Sequence, residues 1–209
     1  MSTEPSIVSA DAQHADILAD AFADDPFMGW IFGDHAARAA ALPTWWRFIG
    51  ANSPEGAELW RIDDSAASLW HPPHHASEPE PEPDPSETEP DDAEDEQPNP
   101  FVEMMLPFVG SRLPEILDML GRGRDARPSE PHWYLLALGT RATNQGHGFG
   151  ARIVRPVIER CDAEGIGTYL ESSNPRNIPF YHRLGYEIVK EHWTPDDTTV
   201  VTGMWRAAR

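Results

Sequence analysis

A glycine-rich turn is the part of this sequence best suited to binding an anion. It follows the apolar run at 132–138 and precedes a helical pattern that starts at Ala151. The first turn of a helix has unpaired backbone N–H donors and a partial positive charge, and glycines let that backbone approach a phosphate closely. We therefore predict a pyrophosphate site here; the alternative is a strand-to-helix turn without a ligand. The turn consists of Gln145, Gly146, His147, Gly148, Phe149 and Gly150.

Two common phosphate-binding patterns do not fit this turn. A Walker loop ends in Gly-Lys-Ser/Thr, and the turn contains no lysine. A dinucleotide fingerprint needs a third glycine, and Ile153 stands at that position. The pattern that remains is Q-x-x-G-x-G.

A second segment lies downstream of the helix that follows the turn. It reads LESSNPRNIPFYHRLGY at 170–186 and ends in the pattern Tyr-x-x-x-Gly-Tyr, formed by Tyr181, Gly185 and Tyr186. The two segments in this order resemble the GCN5-related N-acetyltransferase (GNAT) family, and the second is similar to the puromycin N-acetyltransferase group within it. The resemblance is strongest over residues 132–191, and residues 21–27 are also similar to the first helix and loop of that group.

The resemblance implies transfer of an acetyl group from acetyl-CoA, as co-substrate, to a primary amine of a small molecule by direct attack on the thioester. The turn at 145–150 would bind the pyrophosphate, with His147 exposed near it. A backbone segment would pair with the pantetheine arm as an extra strand. Two asparagines flank the last short helix, where either could bind the coenzyme and Asn174 could instead cap the helix. The implied coenzyme residues outside the turn are Leu138, Gly139, Thr140, Asn174 and Asn177.

Two residues are candidates for acid and base chemistry. Tyr181 aligns with the family tyrosine near the coenzyme sulfur and would donate a proton to the leaving thiolate, because an ordinary phenol is protonated at neutral pH. Its alternative role is an aromatic core residue beside Phe180. Glu171 is a candidate general base at a strand end; a hydrogen-bonding role there, or a water chain as the base, is an equal alternative. Phe27, Met28 and Trp30 are candidates for a wall of the acceptor site.

Two other functions remain open at this point. One is a catalytically idle CoA-binding module that recruits a partner for regulation, and the other is a peptide or protein N-acetyltransferase. The sequence makes no prediction of oligomeric state.

The charge is concentrated in one segment. The 209 residues carry a net charge of −19, and residues 76–100 hold eleven Asp or Glu, seven Pro and no Lys or Arg. Without those eleven acidic residues the chain carries −8, so direct nucleic-acid binding, which needs clustered basic residues, is disfavoured. The segment cannot bury apolar surface, and we predict a disordered acidic insertion there. This insertion is dispensable, or it attracts a cationic acceptor or lies across the mouth of the acceptor site.

The remaining pattern predicts one α/β N-acetyltransferase domain over 1–209, with a GNAT-like mixed, mostly antiparallel sheet flanked by helices. Predicted helices span 7–23, 33–49, 101–120 (in two pieces), 148–164 and 177–184, and residues 121–131 are predicted to form a basic loop. Predicted strands span 57–62, 66–71, 132–138, 168–171, 186–193 and 198–205.

Cysteine and histidine add little chemistry. Cys161 is the single cysteine and fits a buried helix position. The cluster His71, His74 and His75 is interrupted by prolines, which exclude helical metal spacing, so no metal site is predicted. No apolar run reaches the length of a membrane span and the N-terminus lacks a signal-peptide pattern. We therefore expect a cytoplasmic protein without a membrane partner.

Overall fold

A seven-stranded sheet organises the computed structural model, which describes residues 4–73, 99–125 and 127–209. The strands are β1 (Ser6–Val8), β2 (Glu58–Ile62), β3 (Ala66–His71), β4 (His132–Thr140), β5 (Gly167–Ser172), β6 (Glu187–Trp193) and β7 (Val200–Arg206). Their spatial order is β1-β2-β3-β4-β5-β7-β6. Every neighbouring pair is antiparallel except β4 and β5. This confirms the predicted mixed, mostly antiparallel fold.

Seven α-helices flank the sheet in the part of the chain that the structure describes. They are α1 (Ala12–Ala21), α2 (Pro26–Phe32), α3 (His35–Ala51), α4 (Pro100–Val109), α5 (Leu113–Asp125), α6 (Phe149–Glu164) and α7 (Ile178–Arg183). A short 3-10 turn at Gly110–Arg112 separates α4 from α5, as the prediction of two pieces required. Gly165 ends α6 in a left-handed conformation, which glycine adopts without a Cβ clash.

The prediction of a helix over 7–23 was wrong at its start. Ser6–Val8 instead forms the edge strand β1, in which Ile7 lies opposite Trp60 of β2. The side chain of Asp11 accepts a hydrogen bond of 2.7 Å from the backbone N–H of His14, so α1 begins only after this cap. Pairing with a strand some fifty positions away therefore overrides the helical pattern at its first residues.

Three other boundaries differ from the prediction. The segment after Pro26 was predicted as a helix break and forms α2, because Asp25 caps it and proline is accepted in a first helical turn. Asn99, predicted inside the insertion, caps α4. The predicted basic loop at 121–131 is wrong in its first part, since α5 continues to Asp125 through Gly121 and Gly123.

Apolar side chains form two clusters. One includes Ile17, Leu42, Trp46 and Ile116 and draws on α1 to α5, and the other packs α6 and α7 on the sheet and contains Cys161. Trp30, Trp45, Trp46 and Trp70 are buried, as predicted, whereas Trp60 is partly exposed. Burial raises the pKa of the Cys161 thiol to about 11, which makes it a poor nucleophile at neutral pH.

Part of the predicted acidic insertion, and with it His74 and His75, lies outside the described residues. Within the described residues, no helix is long and apolar enough to cross a membrane. In the same part of the chain, no three His, Cys, Asp or Glu side chains are grouped so that they could hold a metal ion.

Candidate active site

The parallel strands β4 and β5 separate part-way along their length. Their pairing runs from His132–Gly167 to Leu135–Leu170, yet β4 continues to Thr140 and β5 to Ser172. On its other edge, β4 stays paired with β3 through Thr140. The separation leaves a slot beside the backbone of β4 in which an extended arm could hydrogen-bond as an added strand.

Leu138, Gly139 and Thr140 lie on this separated part of β4, where the coenzyme arm was predicted. Gly139 also has a packing role: a Cβ there would lie 2.7 Å from the Cβ of Ala21 and 3.1 Å from Leu18. The close approach of α1 is therefore sufficient to explain why residue 139 is a glycine, without a ligand.

The glycine turn ends at an open helix N-terminus. Gly148 is the N-cap residue of α6, with a φ of 79° and no side-chain cap, and Gly146 has a φ of 78°. A Cβ built at either glycine would meet nothing within 4 Å. Backbone N–H groups and open space therefore coincide, as a phosphate site requires.

The side chains of the turn bond mainly to the turn itself. The Gln145 side-chain amide donates to the Thr140 carbonyl at 3.3 Å, and Nδ1 of the exposed His147 lies 2.9 Å from the Gln145 carbonyl. A Cβ at Gly150 would lie 3.4 Å from the Phe180 ring. The Arg152 guanidinium lies 5.5 Å from the centre of the Phe149 ring. These contacts fix the shape of the turn and bring α6 close to α7.

A cavity of about 240 Å³ lies between β4, β5 and the helices of the N-terminal half. Four of the predicted site residues line it: Leu138, Glu171, Asn177 and Tyr181. Asn174 is not among its lining residues; its side chain accepts from the backbone N–H of Arg176 at 3.1 Å and so caps the 3-10 turn Pro175–Asn177, whereas the N-cap residue of α7 is Asn177. The remaining predicted coenzyme residues lie at the turn and along β4.

Glu171 is the carboxylate of this cavity. Its side chain is 13% exposed, Oε2 accepts a hydrogen bond of 2.8 Å from the Tyr134 hydroxyl, and the Arg127 guanidinium lies 3.7 Å from Oε2. Oε1 is buried and has no hydrogen-bond partner in the described part of the chain. Burial raises the pKa of Glu171, opposed by Arg127 and by the phenols of Tyr134 and Tyr169. A buried carboxylate with a raised pKa can accept a proton.

The side chains that surround Glu171 were not predicted from the sequence. Tyr134 lies on β4, and the Arg127 guanidinium is 4.0 Å from its ring centre. Burial, reinforced by Glu171, raises the pKa of Tyr134 and keeps it a donor. A Cβ at Gly123 would lie 3.4 Å from Glu171 Oε1 and 3.7 Å from Nε2 of His192 on β6, and burial lowers the pKa of His192. The sequence signal was the position of Tyr134 and Glu171 on neighbouring predicted strands.

Tyr181 lies on α7 with 7% of its surface exposed. Its ring contacts the rings of Phe180 and Tyr186 at centre distances of 5.1 Å and 6.0 Å. Burial, reinforced by the charge of Asp25, raises its pKa. The phenol is therefore protonated at neutral pH, as a proton donor must be, and its packing also fits the alternative role in the core.

Asp25 is a second buried carboxylate, for which the sequence predicted no site role. It is 6% exposed, and its Oδ1 accepts from the backbone N–H groups of Phe27 and Met28 at 3.0 Å each. The hydroxyl of Ser173, just after β5, donates to its Oδ2 at 2.6 Å. Burial raises the pKa of Asp25 despite these bonds. Asp25 thus joins the start of α2 to the end of β5.

Aromatic side chains form the wall opposite Glu171. Phe27 and Met28, which were predicted as wall residues, line the cavity, whereas Trp30 lines a separate open groove beside Arg112. The other main contributors are Phe22, Trp45, Trp46 and Phe101.

Comparison with known proteins places the chain in a family. A model of the acetyltransferase (GNAT) family matches residues 67–186. The chain belongs to the GNAT family. This stretch contains the slot of β4 and β5, the glycine turn, Glu171 and Tyr181.

An uncharacterized N-acetyltransferase of Schizosaccharomyces pombe is 39% identical to this GNAT chain over 54 residues, which are 26% of this chain and 22% of that protein. The chain thus matches about a fifth of that relative's length. Histone acetyltransferase HPA2 and related acetyltransferase from Corynebacterium glutamicum has a TM-score of 0.66 and 22% identity, covering 100% of this chain and 98% of that one. The polyamine N-acetyltransferase of Drosophila melanogaster has a TM-score of 0.53 and 16% identity, covering 98% and 100%. These likenesses show a shared fold.

Proposed function

We propose that this GNAT protein is an acetyl-CoA-dependent N-acetyltransferase that acetylates a primary amine of a small molecule by direct attack on the thioester. The slot between β4 and β5, which opens beyond Leu135 and Leu170 and leads to the uncapped N-terminus of α6, carries the proposal. GNAT enzymes in general use acetyl-CoA. We also propose a cytoplasmic location, because the only cysteine is a buried, unpaired thiol.

The residues present fit the coenzyme. The open space at Gly146 and Gly148 accommodates a pyrophosphate against backbone N–H groups, and the dipole of α6 favours the negative charge there. The separated backbone at 138–140 accommodates the pantetheine arm. Asn177 lines the cavity and is proposed to contact the arm, while Asn174 supports the turn that precedes α7. When bound, acetyl-CoA supplies the activated acetyl group.

Glu171 and Tyr181 are proposed to handle the protons. The acceptor nitrogen must be neutral to attack, and Glu171, which lines the cavity, is proposed to take its proton. The Tyr181 phenol would donate a proton to the departing thiolate, and its raised pKa favours that protonated form. The developing charge on the thioester oxygen would be stabilised by a backbone N–H on the separated part of β4.

The names of structural neighbours support an amine acceptor. Two of them are a polyamine N-acetyltransferase and an agmatine N-acetyltransferase, with TM-scores of 0.53 and 0.52. The cavity here is enclosed by apolar side chains on most sides, which fits a small molecule better than an extended peptide.

Calorimetry with the full chain tests the coenzyme site. We expect acetyl-CoA to bind and acetyl-pantetheine, which lacks the nucleotide and the pyrophosphate, to bind much more weakly. Release of free thiol in the presence of small primary amines then tests transfer. Absence of acetyl-CoA binding at high micromolar concentration would refute the proposal, and binding without thiol release from any amine or peptide would favour the idle CoA-binding module.

A further inference from the structure

We propose that the acceptor is a compact primary amine with a single positive charge and an apolar body, and that this site discriminates against diamines and polyamines. The inference rests on the proposed function for the identity of the cavity as the acceptor site. It goes further by deriving the chemical class of the acceptor from the two ends of the cavity.

One end of the cavity is built from apolar and aromatic side chains of five helical segments. The rings of Phe22 and Trp46 lie 4.8 Å apart and those of Trp45 and Phe101 lie 5.6 Å apart. Met119 of α5 is 1% exposed and completes this end together with Phe27. Binding the apolar groups of a ligand to such a surface is favourable because it removes both from water. A charged group, in contrast, finds no counter-ion there.

The other end holds the negative charge of the cavity. Among the described residues that line it, Glu171 is the only carboxylate and Arg127 the only permanently charged cation. Arg127 lies 3.7 Å from Glu171 Oε2, whereas Oε1 has no hydrogen-bond partner among the described residues. Glu171 is therefore the one carboxylate of the described lining that can receive an ammonium and take up its proton.

A second ammonium would have no counter-ion at the apolar end. The nearby carboxylate of Asp25 already accepts three hydrogen bonds, two from α2 and one from Ser173. An unpaired charge taken from water into apolar surroundings is strongly disfavoured. The cavity volume of about 240 Å³ is also below the roughly 300–1,000 Å³ of pockets for drug-sized ligands. Both features favour a compact amine with one charge.

A pair of amines that differ only at the far end tests the inference. Hexylamine and 1,6-diaminohexane have the same chain length, and only the second carries a further ammonium. We expect kcat/KM for hexylamine to exceed that for the diamine at least about tenfold, with 2-phenylethylamine also a good substrate. Equal or better use of the diamine, as a cation–π contact with Trp45 or Trp46 would produce, would overturn the inference.

A binding measurement separates this inference from the proposed function. Trp45 and Trp46 line the cavity, so titration of tryptophan fluorescence reports occupancy by either amine without turnover. Loss of acetyl-CoA binding in calorimetry would count against the proposed function. Equal affinities of the two amines by fluorescence would count against the inference, whether or not acetylation occurs.

A matched pair of variants on α5 tests whether an added carboxylate in the cavity improves the use of the diamine. Leu120 lines the cavity, whereas Leu117 on the same helix does not line it and is 38% exposed. Leu120→Glu supplies a second carboxylate and should raise kcat/KM for the diamine relative to hexylamine at least about tenfold, while Leu117→Glu should leave the ratio unchanged. Ile49→Glu, from α3, is the second variant if Leu120→Glu does not fold. A ratio that stays fixed in a folded variant with the added carboxylate would contradict the inference.

Discussion

The Tyr134 hydroxyl donates a hydrogen bond of 2.8 Å to Oε2 of Glu171 and leaves Oε1 buried in the cavity without a hydrogen-bond partner among the described residues. The two residues lie on β4 and β5, the strands that separate just beyond this point. The bond orients the carboxylate and stabilises its charged form, while burial raises its pKa. Glu171 is thus held as a base whose proton affinity depends on burial, on Arg127 and on the neighbouring phenols of Tyr134 and Tyr169.

We predict that Glu171→Gln lowers kcat/KM by about 10²–10⁴-fold and leaves acetyl-CoA affinity unchanged, because glutamine keeps the shape but cannot accept the amine proton. In the parent enzyme, kcat/KM should rise with pH as Glu171 ionises, which gives an acidic limb in the pH profile. Because the pKa of Glu171 is raised, the midpoint of this limb should lie above 4.5, the ordinary pKa of a glutamate. The limb should be absent in the variant. Steady-state kinetics from pH 5 to 9 measures both effects.

Tyr134→Phe is the control for that assignment. Phenylalanine removes the donor that stabilises the carboxylate, so the pKa of Glu171 should rise further and the acidic limb should move to higher pH. A limb that stays in place in Tyr134→Phe, or persists in Glu171→Gln, would assign the ionisation to another group.

We predict that Tyr181→Phe lowers kcat much more than it weakens acetyl-CoA binding, because the ring packing is kept and only the hydroxyl is lost. Tyr186→Phe is the matched control. Tyr186 is also fully buried, its hydroxyl accepts from Thr168 at 2.8 Å, and it does not line the cavity. The control should lose stability with little change in kcat. An unchanged kcat in Tyr181→Phe, where chemistry limits the rate, would return Tyr181 to a role in the core.

We predict that Gly150→Val raises the Kd of acetyl-CoA at least about tenfold, because a branched side chain there would press on the Phe180 ring, 3.4 Å from a Cβ at this position, and displace the first turn of α6 with its phosphate-binding N–H groups. Gly148 is a poorer place for this test, since its φ of 79° makes any larger residue strained. Gly121→Val, in a helix where a Cβ meets nothing within 4 Å, controls for the substitution itself. Calorimetry and thermal denaturation check the result; normal affinity in a folded Gly150→Val variant would refute the phosphate site.

We predict that the parent protein loses stability as pH rises because Asp25 ionises, and that the Asp25→Asn variant does not show this loss. Burial raises the pKa of Asp25 in the folded state above its ordinary 3.8. The contribution of its protonated carboxyl to the free energy of unfolding is therefore complete below pH 3.8 and is lost as pH rises through the raised pKa. Asparagine cannot ionise and keeps an oxygen for the N–H groups of Phe27 and Met28. Its free energy of unfolding relative to the parent should therefore increase between pH 4 and pH 8 in urea denaturation.

Asp25→Ala provides the contrast. It leaves the start of α2 and the Ser173 hydroxyl without their acceptor, and should cost about 1–3 kcal/mol at acidic pH, with the same decrease as pH rises because alanine also cannot ionise. A relative stability of Asp25→Asn that does not change with pH would mean that the buried carboxyl does not titrate in this range.

The sequence determined the features that depend on local chemistry. The glycines of the turn at 145–150 and the helix after them form one contiguous unit, so their order alone predicted an uncapped helix N-terminus beyond a strand. The alternating and continuous apolar runs predicted β2 to β7 within about two residues, because strand side chains repeat every two positions.

Tertiary structure decided what distant segments do together. Residues 6–8 became a strand only because β2 offered an edge, and residues 26–32 a helix because Asp25 both caps it and bonds to Ser173. Tyr134, Arg127, Glu171 and His192 meet through the order of β4, β5, β7 and β6 and the course of α5. The pKa shifts of Tyr134, Glu171 and His192 come from burial and from charged neighbours elsewhere in the chain. Coulombic and desolvation effects act through space, so they arise only when the fold brings those groups together.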